Sequence, residues 1–337
     1  MKISHNISLK NHHTFRIDCK AVTLLFIESK EDILCFIEKK NDYTPFYILG
    51  GGSNVLFTSD FQGTILLMRS KGIEIQEDTE DEIVFNVAAG ESWGDFVDYC
   101  VQRNYYGIEN LAAIPGLVGS SPVQNIGAYG MEVKDTIISV EGYSIGTGEK
   151  RVFSNQDCEF GYRSSIFKNE LKGQFIISSV TFRLSKKEKY NLTYAGLREM
   201  AEKSLEPLSL TAVSKMVVSL RNDKLPDIRV IGSAGSFFKN PVVSDEMARL
   251  LREKHPDLVV FPLDNGAMKL AAGQLIEKAG WKGRREGDVG VYHHQALVLV
   301  NYGKATGSEI VRFYQKIIAD VVLKFGIRLE PEVNIIG

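Results

Sequence analysis

Apolar residues occur along this chain in two kinds of run, and the two kinds interleave along most of its length. Short runs rich in Val, Ile, Leu and Phe and bounded by turn-forming residues predict strands. These runs cover residues 21–27, 46–49, 55–57, 63–68, 83–88, 137–144, 150–153, 174–184 and 296–300. Runs with helical spacing predict helices at 30–40, 211–220, 269–279 and 307–325. Three further helices are predicted: one begins at 93, one ends at about 203 and one begins at 245.

Capping residues mark the starts of several predicted helices. Ser29, Ser92 and Ser244 each precede a helical run and suit the N-cap position. Thr306-Gly307-Ser308-Glu309 has the pattern of a capping box, and Gly326 suits the end of that helix. The longest helix should therefore span residues 307–325, with an apolar face of Ile310, Tyr314, Ile317, Ile318, Val321 and Phe325.

A glycine triplet interrupts the apolar pattern directly after the predicted strand at 46–49. The turn consists of Gly50, Gly51, Gly52, Ser53 and Asn54. Consecutive glycines permit positive φ angles and close backbone approach, and backbone N–H groups in such a turn can converge on an anion. We therefore expect a phosphate-binding turn, although an ordinary turn between strands is the commoner explanation of a triplet alone.

The residues after the triplet exclude two familiar phosphate-binding motifs. A Rossmann fingerprint and a P-loop both require a helix directly after the glycines. Here the chain continues into strand-like runs at 55–57 and 63–68, and the Gly-Lys-Ser/Thr sequence of a P-loop is missing. Any phosphate at this turn would be held by the loop backbone.

The segment 110–130 is the second unusual stretch. It combines four glycines and two prolines with many small residues, and apolar residues occur throughout it. A buried loop must place its backbone N–H and C=O groups somewhere, and a planar cofactor could accept several of them. The alternative is an irregular loop whose backbone groups are satisfied by the protein itself.

Composition narrows the class of protein. The 337 residues are 44% hydrophobic and 24% charged, with a formal net charge of -2, so we expect neither nucleic acid nor membrane as a partner. The four cysteines are far apart, which is typical of buried thiols in a reducing compartment. The sequence has no signal-peptide pattern and no apolar run of about 20 residues, so we expect a cytoplasmic protein.

A few polar residues stand out as candidates for chemistry. His12 and His13 are adjacent, but no other ligands at suitable spacing accompany them, so we favour a surface or cofactor-edge position over a metal site. Arg163 lies between aromatic and small residues and suits either the surface or a carboxylate clamp. Ser236 is not in a Gly-x-Ser-x-Gly nucleophile elbow, and no hydrolase triad is evident around it. Glu332 stands at the predicted start of a last strand, which we expect to dock into a sheet.

Seven segments together resemble the UDP-N-acetylenolpyruvoylglucosamine reductase family, the flavoenzymes of bacterial cell-wall precursor synthesis. They are residues 13–15, 49–56, 110–130, 161–165, 234–241, 294–295 and 332–333. The resemblance covers nearly the whole chain, and the segment around Tyr194 resembles the type I branch, in which a tyrosine loop closes over the substrate. One departure is His13, since the family commonly has Asn before its Thr-Phe pair.

The resemblance implies an α+β fold. It comprises a two-part FAD-binding unit of the vanillyl-alcohol-oxidase kind and an α+β substrate-binding domain. On this basis we expect FAD-binding subdomains at 1–70 and 71–223, a substrate-binding domain at 224–326, and a C-terminal segment at 327–337 that returns to the FAD-binding unit. A monomer is the default expectation.

The resemblance also implies a reaction. NADPH would reduce non-covalently bound FAD, and the enolpyruvyl group of UDP-N-acetylglucosamine enolpyruvate would then be reduced to give UDP-N-acetylmuramate. Arg163 matches the family's cation near the developing negative charge, Ser236 matches the proton donor to C2, and Glu332 matches a glutamate that works with the arginine. Because Glu332 would face the enolpyruvyl carboxylate, it would have to be protonated or hydrogen-bonded.

The remaining matches concern binding. Lys224 and Tyr194 correspond to positions near the UDP diphosphate, and Asn240 and Gln295 to neutral substrate contacts. The FAD pyrophosphate would lie at residues 50–54. The flavin and its ribityl chain would lie against Ile114, Pro115, Gly116, Gly119, Ser120, Ser121, Asn125, Gly127, Ala128 and Tyr129. No metal is implied.

Two other functions remain open on the sequence. A different FAD oxidase or dehydrogenase could share the cofactor unit and act on another substrate. A non-catalytic nucleotide-binding protein could share the glycine turn. The combination of Arg163, Ser236 and Glu332 favours the reductase over the first. The second is distinguished by colour, because a flavoprotein should be yellow when purified.

Overall fold

The computed structural model describes residues 1–263 and 265–337. The chain forms two compact units. The first contains residues 1–7, 21–51 and 62–221, and the second contains residues 8–20, 52–61 and 222–337. Among the helices of the described ranges, none combines the length and the apolar character needed to cross a membrane.

The described residues form strands and helices of many lengths. The strands are β1 Lys2–Ser8, β2 Lys20–Ile27, β3 Phe46–Leu49, β4 Val55–Phe57, β5 Phe61–Met68, β6 Ile73–Asp78, β7 Glu82–Ala88, β8 Gly127–Ala128, β9 Met131–Glu132, β10 Ile137–Ser144, β11 Lys150–Ser154, β12 Phe175–Ser185, β13 Gly232–Ser236, β14 Val242–Val243, β15 Val260–Pro262, β16 Met268–Leu270, β17 Arg285–Glu286, β18 Val289–Val291, β19 Val298–Asn301 and β20 Asn334–Ile336. The α-helices are α1 Lys30–Glu38, α2 Trp93–Gln102, α3 Ala195–Lys203, α4 Leu210–Lys224, α5 Asp245–Lys254, α6 Ala272–Lys278 and α7 Gly307–Phe325.

The first unit is built on two sheets. The strand order is β1-β2-β5-β3 in one and β11-β10-β12-β7-β6 in the other. The pair β3–β5 is parallel, and every neighbouring pair of the second sheet is antiparallel. Helix α2 packs its buried face, which includes Trp93, Phe96 and Val97, into the same core as Phe85 and Phe182 of the second sheet. The second sheet thereby supports the loops that follow α2.

The predicted caps are present in this unit. The Ser29 hydroxyl accepts from the N–H of Asp32 at 3.2 Å, and the Ser92 hydroxyl accepts from the N–H of Asp95 at 3.3 Å. Each bond satisfies one of the N–H groups that a helix leaves unpaired at its first turn. The strands predicted at 21–27, 46–49, 83–88, 137–144, 150–153 and 174–184 are confirmed to within one residue at each end.

In the described part of the chain, the second unit contains helices α5, α6 and α7 and three small sheets. Their strand orders are β13-β19-β18-β17, β14-β16-β15 and β20-β4. Strand β20, near the end of the chain, pairs in parallel with β4, so the expectation that the last apolar run docks into a sheet is confirmed. This pairing holds the segment that carries Glu332 beside residues that follow the glycine turn.

The long helix α7 begins and ends as its sequence pattern predicts. Thr306 and Glu309 form the capping box, with the Glu309 N–H donating to Thr306 Oγ1 at 3.2 Å and the Thr306 N–H donating to Glu309 Oε2 at 2.7 Å. Gly326 has a φ of 69° and ends the helix. The predicted apolar face missed Phe313, which is buried.

Three predictions of element boundaries are wrong. Helix α4 ends at Lys224, later than the predicted 220 and just before Pro226, which cannot continue a helix. Lys269 lies in strand β16 between β14 and β15, so the helix expected at 269–279 covers only Ala272–Lys278. Glu332 precedes the last strand, which begins at Asn334.

Candidate functional site

The glycine turn lies against the second loop that the sequence singled out. In the first unit, a Cβ atom on Gly51 would be 2.6 Å from Gly116 Cα, and a Cβ atom on Gly50 would be 3.1 Å from Ser120 Cβ. Real Cβ atoms do not approach other atoms as closely as 2.6 Å, so the contact of the two loops requires glycine at position 51. The two segments expected to hold a cofactor are therefore neighbours.

The loop at 114–121 is anchored to the strand and helix beside it. The N–H groups of Val118 and Gly119 donate to the carbonyls of Glu91 and Ala89, both at 2.9 Å, and Gly116 O accepts from the Trp93 N–H at 3.1 Å. A Cβ atom on Gly119 would be 2.4 Å from Ala89 Cβ. These three backbone groups are satisfied by the protein itself, as in the alternative of a loop whose backbone groups pair within the protein.

One polar side chain in this loop has no partner among the described residues. Ser121 is 1% exposed, and its Oγ makes no hydrogen bond to any of them. A buried hydroxyl without a partner costs free energy, so it points to a group that the bare protein does not supply. Ile114 and Pro115 precede it; Ile114 is partly buried and Pro115 is exposed.

Arg163 contacts the later part of the same loop region, at Gly127. Its backbone has a φ of 54°, and its Nη2 donates to Gly127 O at 2.8 Å. Gly127 and Ala128 form strand β8, and a Cβ atom on Gly127 would be 3.1 Å from Arg163 Nη1. The guanidinium thus stands against the glycine-rich backbone that follows Asn125.

Asn125 joins the two segments that carry these groups. It is fully buried, and its Nδ2 donates to Glu132 Oε2 at 2.9 Å and to Gly161 O at 3.1 Å. Its Oδ1 accepts from the N–H of Lys134 at 3.1 Å. Asn125 therefore stabilises the protein scaffold around Arg163, so a contact with a cofactor is not needed to explain it.

Tyr194 stands at the start of α3, where its carbonyl accepts from the N–H groups of Leu197 and Arg198, both at 3.0 Å. Its ring meets the Tyr129 ring edge to face, with centroids 5.0 Å apart. Hydrogen bonds of Asn110 and Asn191 connect the segment of Tyr194 to the loop of Tyr129. No role was predicted for either asparagine, because an amide between two loops has no pattern of its own in the sequence.

The second unit contains the rest of the glycine turn. Gly52 has a φ of 64°, and a Cβ atom there would be 2.1 Å from His12 O and 2.5 Å from His13 Cα. The Thr14 N–H donates to Gly52 O at 3.0 Å, and Thr14 O accepts from the N–H of Ser233 at 3.0 Å. The segment 13–15 therefore links the turn to strand β13.

His13 is buried and not at the surface, with 4% of its area exposed. Its Nε2 lies 3.1 Å from Ile17 O, and its Nδ1 has no hydrogen-bond partner among the described residues. Burial lowers the pKa of His13 to about 4, so the imidazole is neutral near pH 7 and donates from Nε2 to the carbonyl. Within the described ranges, no group of three or more His, Cys, Asp or Glu side chains could hold a metal ion.

A bulge turns Ser236 outward at the end of β13. Ser233 pairs with Val300 and Ser236 with Val298, so the register shifts between them, and Gly235 has a φ of 71°. Ser236 is exposed, whereas Phe237 and Phe238 after it are almost fully buried. The aromatic pair anchors the strand end, and the hydroxyl of Ser236 is left at the surface of this unit.

Glu332 is held beside Ser236 by backbone hydrogen bonds. Its N–H donates to Phe237 O at 2.8 Å, while the N–H of Phe237 donates to Leu297 O at 2.7 Å. Asn54 Nδ2 donates to Glu332 O at 3.3 Å. Asn54 therefore helps to position the segment that carries Glu332, a role that was not predicted from the sequence. Its neighbour Ser53 is partly buried.

Asn240 and Gln295 meet at the start of α6. Asn240 Oδ1 accepts from the N–H of Ala272 at 3.0 Å, and a Cβ atom on Gly273 would be 3.0 Å from Gln295 Oε1. Gln295 Oε1 also accepts from the N–H of Leu297, at 3.3 Å. Since Leu297 O also accepts from the N–H of Phe237, the backbone connects Gln295 to the segments of Ser236 and Glu332. Lys224 is partly buried at the end of α4.

The structure thus brings the predicted residues together in two groups. The first unit contains Gly50, Gly51, the loop from Ile114 to Tyr129, Arg163 and Tyr194. The second unit contains Gly52, Ser53, Asn54, Lys224, Ser236, Asn240, Gln295 and Glu332.

Comparisons with known proteins bear on both units. The family model described as an FAD binding domain matches residues 24–153, and the model described as the C-terminal domain of UDP-N-acetylenolpyruvoylglucosamine reductase matches residues 226–336. The α+β class with an FAD-binding part and a separate second part is confirmed.

Relatives match over the whole chain. The UDP-N-acetylenolpyruvoylglucosamine reductase of Flavobacterium johnsoniae is 44% identical over 338 residues, with 100% of both chains covered. That of Bacteroides fragilis is 45% identical over 329 residues, with 98% of both covered. The crystal structure of the Thermus caldophilus enzyme has the same fold, with a TM-score of 0.71 at 22% identity and 100% coverage of both chains. The chain belongs to the UDP-N-acetylenolpyruvoylglucosamine reductase family.

Proposed function

We propose that this protein is an FAD-dependent reductase that uses NADPH to convert UDP-N-acetylglucosamine enolpyruvate into UDP-N-acetylmuramate for peptidoglycan synthesis. The observation that carries the proposal is the arrangement at Phe237, whose backbone joins an exposed serine to the glutamate segment from the end of the chain. The full-length similarity to reductases of that name supports the same substrate.

The residues of the first unit fit FAD. The glycine turn and the loop at 116–121 lie against each other, and Ser121 Oγ is a buried polar atom that still lacks a partner. We propose that Gly50 to Asn54 hold the pyrophosphate and that the loop from Ile114 to Tyr129 holds the flavin and ribityl chain. When bound, FAD supplies the redox chemistry by accepting hydride from NADPH and donating hydride to C3 of the enolpyruvyl group.

Arg163 suits the negative charge that this addition creates. Hydride addition at C3 leaves charge at C2 that delocalises into the adjacent carboxylate, and a nearby cation stabilises it. The bond from Nη2 to Gly127 O and the packing against Gly127 fix the plane of the guanidinium. A planar guanidinium binds a carboxylate through two parallel hydrogen bonds, so its fixed orientation matters for the reaction.

Ser236 supplies the proton that completes the reduction. Its O–H bond breaks as a C–H bond forms at C2, so the double bond gains one hydride and one proton. A serine hydroxyl is a weak acid, so a neighbouring group must assist it. We propose that Glu332, which is held next to Phe237, works with Arg163 in holding and polarising the enolpyruvyl carboxylate, in a protonated or hydrogen-bonded form.

The other matched residues bind the nucleotide sugar. Lys224 and Tyr194 would contact the diphosphate, the lysine as a point charge. Asn240 and Gln295 would bind neutral groups, since each keeps its amide nitrogen as a donor after its oxygen accepts a backbone N–H. We also propose that the protein is cytoplasmic, because NADPH and nucleotide sugars are metabolites of that compartment. For the oligomeric state, a monomer is the default proposal.

The deciding experiment measures NADPH oxidation by the purified, FAD-loaded protein with and without the enolpyruvyl sugar nucleotide. We expect steady oxidation only when the nucleotide is present. Flavin reduction followed by oxidation with no dependence on the nucleotide would instead indicate an oxidase with another substrate. A colourless protein that does not take up FAD would contradict any flavoenzyme function.

A further inference from the structure

Two asparagines fasten the segment that carries Tyr194 to the loop that carries Tyr129. The segment 190–194 has no helix or strand of its own before α3 begins at Ala195. Its position is therefore set by side-chain and backbone contacts, and those that join it to the loop of Tyr129 include hydrogen bonds of Asn110 and Asn191.

Asn110 is fully buried and bridges the two segments from below. Its Nδ2 donates to Tyr129 O at 2.9 Å and to Asn191 O at 2.8 Å, so both amide protons are used. Its Oδ1 is buried and has no partner among the described residues. A buried oxygen without a hydrogen bond costs free energy. The contribution of Asn110 to the structure therefore comes mainly from the two carbonyls that its amide nitrogen joins.

Asn191 completes the bridge by bonding Gly130, the residue after Tyr129. Its Nδ2 donates to Gly130 O at 2.9 Å, and its Oδ1 accepts from Thr193 Oγ1 at 2.7 Å and from the Thr193 N–H at 3.1 Å. A Cβ atom on Gly130 would be 2.2 Å from Thr193 Oγ1, and Gly130 has a φ of 85°, a left-handed conformation that favours glycine.

The two tyrosines meet directly beside this bridge. Tyr129 and Tyr194 are neighbours in sequence of Gly130 and Thr193, and their rings stand edge to face at 5.0 Å with an angle of 87°. Tyr129 has a φ of 50°, which is unusual for a residue with a side chain. The bridge therefore holds both rings in one arrangement.

We propose that Asn110 and Asn191 are positioning residues that determine where Tyr194 stands when the substrate binds. The proposal rests on the proposed function, because it assigns the affinity for the nucleotide sugar partly to residues that act through Tyr194. Neither asparagine needs to touch the substrate for this effect.

The first test measures amide hydrogen exchange in FAD-loaded, substrate-free protein. Asn191→Ala should speed exchange of the amides in 191–198, because it removes the bonds to Gly130 and Thr193. Asn155→Ala is the matched control, since Asn155 Nδ2 donates to the carbonyls of Lys134 and Ile137, both at 2.8 Å. That control should leave exchange in 191–198 unchanged. Unchanged exchange in Asn191→Ala would overturn the proposal.

The second test is a double-mutant cycle on substrate binding. The dissociation constant for UDP-N-acetylglucosamine enolpyruvate is measured from the flavin absorbance of Asn191→Ala, Tyr194→Ala and the double variant. If Asn191 acts through Tyr194, its substitution should raise the constant about tenfold alone and less than about twofold when Tyr194 is already alanine. Equal effects in both backgrounds would overturn the proposal.

The two tests separate this inference from the proposed function. Unsubstituted protein that binds FAD but not the enolpyruvyl nucleotide would contradict the proposed function, while the exchange experiment would still decide whether the asparagines hold the segment. Asn110→Ala is the less informative variant because its site is fully buried and the substitution risks the fold.

Discussion

Gly235 determines the direction of the side chain that follows it. Its φ of 71° lies in the left-handed region, where residues with a Cβ atom are strained, and nothing lies within 4 Å of a Cβ atom placed there. Conformation and not space is therefore the reason for glycine at this position. Gly235 turns Ser236 outward, while Phe237 stays buried. The conformation of one glycine therefore leaves the candidate proton donor exposed next to a buried aromatic side chain.

Replacing Ser236 by alanine should separate the two halves of the reaction. We expect NADPH to reduce the bound flavin at a normal rate, because the proton is needed only when the enolpyruvyl group is reduced. Reoxidation of the flavin by the substrate should slow by a factor on the order of 10²–10⁴. Stopped-flow absorbance of the flavin measures both steps, and loss of the first step would show that Ser236 has a different role.

His13 should give the stability of the protein a distinctive dependence on pH. Its pKa is about 4 in the folded protein and 6.5 when unperturbed, so between these values the unfolded chain binds more protons. Stability should be complete above pH 6.5 and fall as the pH decreases toward 4, by about 3 kcal/mol from this residue. His13→Asn, which introduces the residue common in the family, should lack this loss.

Urea unfolding at pH 7, 5.5 and 4, followed by tryptophan fluorescence, compares the two proteins. The difference in their free energies of unfolding should change in favour of His13→Asn as the pH falls. A constant difference across this range would mean that folding does not lower the pKa of His13, in conflict with its burial.

At the scale of elements, local patterns predicted helix caps better than they predicted short strands. Ser29, Ser92 and Thr306 cap their helices as expected, because a cap depends only on residues within one turn. Lys269 was assigned to the wrong element because its strand exists through pairing with β14 and β15, which are distant or irregular in sequence. Strands of two or three residues depend on their partners and give little periodic signal.

The contact between the glycine turn and the loop at 116–121 leads to a prediction about FAD. Gly51→Ala would place a methyl group 2.6 Å from Gly116 Cα, so the two loops must separate. Overpacking of this kind costs about 1–3 kcal/mol, so we expect FAD affinity to fall by about 5- to 150-fold. Titration of FAD into apoprotein, followed by quenching of flavin fluorescence, measures the change.

Gly146→Ala is the control for this prediction. A Cβ atom there would have its nearest neighbour, Ser144 Oγ, at the ordinary distance of 3.7 Å, and Gly146 has no positive φ. Its FAD affinity should match that of the unsubstituted protein. Equal affinities in Gly51→Ala and Gly146→Ala would mean that the loop contact does not support the cofactor.

At the scale of the whole molecule, the second unit is assembled from three separate parts of the chain. Segments 8–20 and 52–61 join residues 222–337. The connections are specific: Phe15 O accepts from Asn301 Nδ2 at 3.1 Å, and a Cβ atom on Gly307 would be 1.9 Å from Phe57 O. Local periodicity contains no information about pairing across such distances.

A fragment of residues 222–337 should therefore fail to fold as it does in the whole chain. It would lack β4, the partner of β20, and the Thr14 carbonyl that accepts from Ser233. We expect a near-ultraviolet circular dichroism spectrum without the fine structure of buried aromatic residues. A cooperative unfolding transition of the isolated fragment, with that fine structure present, would contradict the prediction.

The pairing of β20 with β4 also determines when the second unit can form during synthesis of the chain. Asn54 O accepts from Asn334 Nδ2 at 3.1 Å, across a separation of 280 residues. At about 5–20 residues per second, the ribosome needs on the order of 10–60 s to make the chain between these two residues. During that time β4 has no β20 to pair with, so the second unit cannot close before Asn334–Ile336 has been made. A nascent chain therefore fixes the position of Glu332 late in its synthesis, and the chemistry assigned to that residue becomes available only when β20 has paired with β4.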